Sequence, residues 1–470
     1  VGSFFEAYST NSRGPNLQIM SSVLNIYCTR KDKTISEINE KNPYMMGFPM
    51  VATNKFIQML VSNGYTVIMK EQVTQPPNPV RKITQIYSPG TYIDNIEKSD
   101  ANNIICIYFE EEKQRNGSSL LCAGLSCIDI STGKCIVHKV LSTETDRRLA
   151  IDETMHFINT LNPSEIIIYF QQKITKNADI LEADTGYSKD KIISYLNLDN
   201  WNYIFNSDIP KKYNEIRFQN EFFGKIYKDT GILQPIEYIE LDDLDYEYTR
   251  LSFILLLNFA IDHNEYLVHD IEKPQHFTDV NRLKLHNNAI YQLNIIHDNN
   301  INKKHYGYGS LFDVVNNTST AMGYRLLKDR LTSPLKSSDA LNKIYSDTEI
   351  FIKDNLYLDI NENLISITDI ERLNIKMLMK KLQPCDFVSL IDSLSEALNI
   401  SHKLKNKGTV DIIPDNDTLT QIQEMIKYSN KTFTLSEMKK YTVNNISDSF
   451  FMKGIYPDID KLNNSIKSDL

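Results

Sequence analysis

The residue types with the most pointed chemistry stand near the start, in Gly2-Ser3-Phe4-Phe5-Glu6-Ala7-Tyr8. A Phe ring can enter a base step and prise it apart, at a cost of roughly a few kcal/mol. That cost is lowest where stacking is already weak, as at a mismatch or a bulge. A carboxylate beside the ring is unusual in a nucleic-acid binder, because phosphates repel it. It is tolerable when it accepts a specific hydrogen bond from a base edge. Phe4 and Glu6 are therefore candidate DNA-binding residues. As a bare tripeptide, Phe-x-Glu also describes a core strand with a surface acid.

Arg81 and Lys82 are the second candidate pair. Adjacent cations can meet phosphates and fix register without reading sequence. A solvated hairpin rim is an equal alternative for them. The chain as a whole carries a net charge of −9, which argues against general nucleic-acid affinity. The distribution is uneven, however. Residues 1–98 hold ten Lys and Arg against seven Asp and Glu, a net of +3, which leaves −12 for the remainder. Any DNA contact is expected in that first stretch.

The elements that must position these residues are legible in the spacing. A strand is expected over Asn25–Thr29. A helix is expected from about Thr53, with Thr53 as its N-cap and Gly64 as its stop. Strands follow over Thr66–Met69 and Ile83–Tyr87, separated by Pro76, Pro77 and Pro79. Next come three apolar strands, Ile104–Phe109, Leu120–Ile130 and Lys134–Leu141, with turns at Arg115-Asn116-Gly117-Ser118 and Ser131-Thr132-Gly133-Lys134. A helix from about Asp146 to Leu161 and a strand over Glu165–Phe170 complete a ribonuclease-H-like order. From Tyr246 the pattern is helical. Leu251–Asn264 is apolar nearly all round, as in a buried helix.

A chain of 470 residues exceeds one compact core, so two to four domains are expected. It is 41% hydrophobic and 24% charged, ordinary for a globular protein. No apolar run approaches a membrane span, and no signal-peptide pattern opens the chain. The six Cys lack metal-site spacing and read as reduced core thiols. His263, His269 and His276 read as packing or surface residues. An RNase-H-like nuclease would need several carboxylates around Mg²⁺. Asp129 is one acid, but Glu110-Glu111-Glu112 is contiguous and cannot converge on one ion. Asp129 reads better as a turn residue.

Gly2-Ser3-Phe4-Phe5-Glu6-Ala7-Tyr8 resembles the Gly-Asp-Phe-Tyr-Glu segment of MutS mismatch-recognition domains, with Ser3 in place of the usual Asp. Further matches follow in the same order. They are Gly47-Phe48-Pro49, Leu60-Val61-x-x-Gly64-Tyr65-x-Val67, Glu71-Gln72-Val73, and Arg81-Lys82 with Ser88-Pro89-Gly90-Thr91. Asp129-Ile130-Ser131-Thr132-Gly133 resembles the connector-domain turn. Leu311-Phe312-Asp313 through Thr320-x-Met322-Gly323-x-Arg325-Leu326-Leu327 to Pro334-Leu335 resembles the core segment, although Ala321 and Arg330 depart from the pattern. There Thr318 or Thr320 can cap a helix and Leu326, Leu327 and Leu331 line one face, while Arg325 is either buried and paired or solvated. Thr368-Asp369-Ile370-Glu371-Arg372 is similar to another family helix start. Leu283-Lys284-Leu285-His286 matches less well, for want of an acid. Phe451-x-x-Gly454-x-x-Pro457 resembles the strip where levers enter the clamp.

The resemblance implies an α/β plus all-α multidomain fold. Its parts are a mismatch-recognition domain over 1–98, an RNase-H-like connector over 99–245 and a helical core and lever domain over 246–470. It implies that Phe4 is a stacking wedge, that Glu6 bonds the mismatched base, and that the partner is double-stranded DNA with mismatches or small loops. It also implies a dimer made through C-terminal regions, a repair-protein partner at the connector, and no membrane. No Walker A loop is present, since neither Gly133-Lys134 nor Gly224-Lys225 has the required Gly or Ser/Thr. No cofactor is expected in this chain, and ATP and Mg are expected in an ATPase domain outside it. The chain thus reads as part of a longer protein, with ATP hydrolysis a property of the whole. The location is expected to be intracellular, whether nucleus, organelle, bacterial cytoplasm or viral factory. Two other classes stand beside this one: a scaffold for DNA junctions or proteins, and a Mg²⁺-dependent nuclease.

Overall fold

The structure is a computed structural model that describes residues 4–74, 79–93, 100–114, 119–171, 187–269, 271–277, 281–283, 285, 289–296, 309–406, 412–443 and 445–469. The expectations that rest on Gly2, Ser3, Pro76, Pro77, the 115–118 turn, Lys284 and His286 lie outside these residues. The chain divides into two compact units. One is Val1–Glu97 with Asn102–Phe277, and the other is Lys98–Ala101 with Thr278–Leu470.

The first unit opens with strand β1 (Phe4–Ser9) and helix α1 (Leu17–Leu24). The Asn16 side chain caps α1 by accepting from the Gln18 and Ile19 N–H groups, and Asn25 closes it in the left-handed region at φ 53°. Asn25 therefore ends a helix. The strand expected over Asn25–Thr29 shrinks to β2 (Thr29–Arg30). β3 (Tyr44–Pro49) pairs antiparallel with both β1 and β2. Helix α2 spans Thr53–Ser62. Its first residue, Thr53, turns its hydroxyl back to the Met50 carbonyl and does not cap the helix. β4 (Val67–Gln72) and β5 (Arg81–Tyr87) form an antiparallel hairpin with a bulge after Met69.

The larger sheet contains β6 (Asn103–Lys113), β7 (Ser119–Asp129), β8 (Lys134–Leu141), β9 (Glu165–Gln171), β10 (Tyr203–Asn206) and β11 (Gln275–His276), in the order β10-β9-β6-β7-β8-β11. β6, β7 and β8 run antiparallel, and β9 lies parallel to β6. Alternation along β6 and β7 sends Ile105, Ile107, Phe109, Leu121, Ala123 and Leu125 to one face. There they pack with Ala150, Ile151, Phe157 and Ile158 of α3 (Leu149–Leu161). Helices α4 (Lys189–Tyr195), α5 (Ile216–Ile226) and α6 (Pro235–Tyr238) follow. α7 (Glu247–His263) covers the other face. It can do so because β7 has Gly124 where it passes. A Cβ there would sit 2.0 Å from the Tyr248 carbonyl oxygen. The Ser252 hydroxyl donates to the Cys106 carbonyl at 2.8 Å. The sequence reading opens the helical domain at Tyr246, whereas α7 packs within the first unit because its apolar residues run all round and one side closes on the sheet. All six cysteines are free thiols, and four of them are buried. Burial pushes the Cys106, Cys127 and Cys135 thiols up.

The second unit is helical: α8 (Ala289–Gln292), α9 (Leu311–Val315), α10 (Ala321–Thr332), α11 (Ser338–Ile352), α12 (Leu356–Ile365), α13 (Ile370–Leu378), α14 (Pro384–Asn406), α15 (Asn416–Thr432), α16 (Leu435–Met438) and α17 (Pro457–Asp469). Thr320 caps α10 by accepting from the Gly323 N–H at 3.0 Å. Leu327 and Leu331 pack with Phe312 and Tyr324. Leu326 is exposed, because one residue of helix turns it about 100° away from that face. Arg325 is largely buried and is paired. Its two terminal nitrogens donate to Asp369 at 2.8 and 2.9 Å, and one also reaches Glu371 at 2.6 Å. Among the described residues, no helix is long and apolar enough to cross a membrane.

Candidate nucleic-acid interface

A strand alternates its faces with period two. Phe4, Glu6 and Tyr8 therefore share one face of β1, and Phe5 and Ala7 turn to the apolar clusters on the other. Phe4 is 45% exposed and Tyr8 39%. Exposed aromatics of this size, four apart on a strand, are not explained by core packing. Gly47 stands opposite Glu6 in the ladder. A Cβ at Gly47 would lie 2.7 Å from the Phe5 carbonyl oxygen and 3.1 Å from the Glu6 Cγ. Glycine thus clears the space that the Glu6 side chain crosses.

The Tyr8 hydroxyl donates to Glu6 Oε2. This bond holds the phenol above its ordinary value, helped by partial burial and by the charge of Glu6, and Arg81 acts in the opposite sense.

These residues line a groove of about 560 Å³ with the β4–β5 hairpin. Phe5, Ala7, Met46 and Leu60 also line it, and Ile68, Lys70, Glu71, Gln72 and Arg81 contribute from the hairpin. The hairpin register sets the cross-strand pairs. Gln72 pairs with Arg81, and Glu71 pairs with Lys82. Arg81 lines the groove with Phe4 and Glu6, as do both hairpin residues Glu71 and Gln72, while Lys82 is absent from its lining. Sequence reasoning missed Tyr8, Lys70 and Gln72. The period-two step from Phe4 was the available signal for Tyr8. Lys70 and Gln72 needed the bulge and the register, which no local pattern reveals.

A second polar cluster lies where the 88–91 turn meets β9. The Ser88 hydroxyl and the Gly90 N–H donate to Glu165 Oε2 at 2.5 and 3.1 Å. The Asn102 side-chain amide donates to the Gly90 carbonyl at 2.6 Å, and Ser164 donates to Asn102 Oδ1 at 2.7 Å. Burial raises the Glu165 carboxyl, and the bonds from Ser88 and Gly90 oppose that rise.

Asp129 is a turn residue. Its Oδ1 accepts from the Asn102 N–H at 3.1 Å, the Ser131 N–H at 2.9 Å and the Ser131 hydroxyl at 2.6 Å, and Oδ2 accepts from Thr132 at 2.8 Å. The Glu110–Glu112 run alternates across β6, with Tyr108 donating to Glu110 and Tyr248 to Glu112. Among the described residues, no group of three His, Cys, Asp or Glu is placed to hold a metal ion.

Comparison with known proteins locates both regions. The model for MutS domain I matches residues 1–96, and that for MutS domain III matches 288–450. A mutS homologue of Acanthamoeba polyphaga mimivirus is 32% identical over 99% of this chain and 43% of its own length. DNA mismatch repair protein MutS of Caldanaerobacter subterraneus subsp. tengcongensis is 26% identical over 94% of this chain and 46% of its own length. That of Clostridioides difficile is 26% identical over 91% and 40%. The chain belongs to the MutS family. It spans less than half the length of these relatives. The groove falls inside the MutS domain I match, and the Arg325–Asp369 pair falls inside the MutS domain III match. The six-stranded sheet lies between the two matched segments of this MutS chain.

Proposed function

We propose that the chain recognises mismatched or bulged duplex DNA in mismatch repair, the process for which its bacterial relatives are named. The observation that carries the reading is the groove itself. Phe4 and Glu6 line it together with the cations Lys70 and Arg81. An aromatic wedge finds least resistance at a weakened base step. A carboxylate within reach of that step can accept from a base N–H that mispairing has released. Lys70 and Arg81 supply phosphate attraction without sequence preference.

In this reading the 99–245 region is an RNase-H-like connector and the helices beyond it are levers. ATP binding and hydrolysis belong to the part of the relatives that this chain does not span, as does dimerisation, and a repair protein docks at the connector. Asp129, whose oxygens serve the turn, disfavours the nuclease alternative. The test is Phe4→Ala, with binding to matched, G·T and one-base-bulge duplexes followed by fluorescence anisotropy. A base–aromatic stack is worth about 1–3 kcal/mol. The preference for mismatched over matched duplex should fall by about that amount, with little change for matched DNA. Equal binding to all three duplexes before and after the change would favour the scaffold class.

A further inference from the structure

We propose that Tyr8 is a positioning residue for the mismatch contact, holding the Glu6 carboxylate so that one oxygen is presented to an N–H donor on a mispaired or bulged base. The inference rests on the reading of the groove given above. Three observations converge on it. Tyr8 stands on the same face of β1 as Phe4 and Glu6, and all three line one groove. The phenol hydroxyl donates to Glu6 Oε2. The opposing strand has Gly47 beside Glu6, which leaves the carboxylate free of a neighbouring side chain on that side.

The physical consequence is preorganisation. The last torsion of a Glu side chain is broad, so an unsupported carboxylate sweeps many orientations. A hydrogen bond to Oε2 removes that freedom before DNA arrives and lowers the ordering cost of binding. Among the described residues, no hydrogen bond engages Oε1, and it is the oxygen left to accept from the base. The bond also answers the electrostatic objection to an acid near phosphates. A hydroxyl donated to a carboxylate is a charge-assisted bond, and it draws negative charge toward the phenol and away from the DNA. Arg81, in the same groove, adds a cation to the same neighbourhood.

The test uses the 470-residue chain with Tyr8→Phe, Glu6→Ala, the double variant and Phe4→Ala, binding labelled matched, G·T and one-base-bulge duplexes. Tyr8→Phe keeps the ring and removes only the donor. It should lower the mismatched-to-matched binding ratio by about two- to tenfold, the scale of one hydrogen bond. It should have no further effect once Glu6 is Ala, a coupling that a purely structural tyrosine would not show. If Phe4→Ala and Glu6→Ala lower the ratio but Tyr8→Phe leaves it unchanged, the positioning role is overturned and the function stands. An effect of Tyr8→Phe that persists in the Glu6→Ala background also overturns it. If Phe4→Ala leaves the ratio unchanged, the reading of the groove fails and takes this inference with it.

Discussion

Glu6 and Glu165 are both strand carboxylates of the first unit, and they sit in opposite surroundings. Glu165 is 3% exposed, with a hydroxyl and a backbone N–H donating to one of its oxygens. Glu6 lines an open groove, and its described hydrogen bond comes from Tyr8, an exposed neighbour on the same strand. A buried acid whose lone pairs face protein donors holds parts of the fold together, and losing it leaves those donors unsatisfied. An acid in a groove keeps capacity for a ligand. The second unit repeats the closed arrangement at Arg325 and Asp369, whose side chains are 11% and 6% exposed. Burial by itself would raise Asp369, but the bonds and charge of Arg325 outweigh it and hold the carboxyl below its usual range. The contrast separates acids that build the molecule from the acid proposed to use it.

The closed sites should break hardest. Arg325→Ala would take from Asp369 its two parallel bonds and leave it Arg372 at 3.4 Å, and removing one partner of a buried pair typically costs about 3–5 kcal/mol. Arg325→Lys should restore little, because an ammonium cannot make both parallel bonds to Asp369. Chemical denaturation that follows the helical unit would measure this, and a loss below about 1 kcal/mol for Arg325→Ala would show that the cluster is solvated in solution.

Glu165 comes next. Glu165→Ala leaves the Ser88 hydroxyl and the Gly90 N–H without their acceptor, at about 1–3 kcal/mol for each buried group. The pH dependence has a definite sign. The carboxyl is raised in the folded chain above its ordinary 4.5, so the folded state holds that proton more tightly than the unfolded state. Its contribution to stability is complete below that ordinary value and is lost as pH rises through the raised one. Melting temperatures across mildly acidic pH should show this fall in the wild type. Glu165→Gln keeps an acceptor oxygen and cannot ionise, so the corresponding part of the slope should vanish. An unchanged slope would place the titration elsewhere.

Legibility in the sequence follows the same division. The strands of the large sheet were plain, because β6, β7 and β9 are apolar runs bounded by turn residues. The buried role of α7 was visible in its lack of a polar face. Helix α1 is not, since its cap Asn16 and stop Asn25 flank only eight residues and Asn25 opens a strand-like run. In the groove, Phe4 and Glu6 stood out through their types. The socket of Glu165 was invisible, because its donors are 75 and 77 positions away in the chain. Arg325 could be read as paired or solvated until Asp369, 44 positions on, was seen beside it. Local pattern reports periodicity and caps, whereas long-range polar pairing has no local signature.

The subtlest contrast lies within one dipeptide. Arg81 and Lys82 are equivalent in charge and adjacent in sequence, and both are exposed. The hairpin register sets Arg81 opposite Gln72 and Lys82 opposite Glu71, and Arg81 lines the groove whereas Lys82 does not. A cation that neutralises a phosphate releases condensed counterions, so its removal lowers the salt dependence of binding by about one in the slope of log K against log salt. Arg81→Ala should show that loss equally for matched and mismatched duplexes, because phosphates carry no sequence information. Lys82→Ala should leave the slope nearly unchanged, since Lys82 is not among the residues that line the groove. Equal losses for the two variants would mean that DNA runs along the rim of the hairpin and meets both faces. A loss for Lys82→Ala alone would move the interface off the groove, and Phe4 and Glu6 would then have to be explained as surface residues.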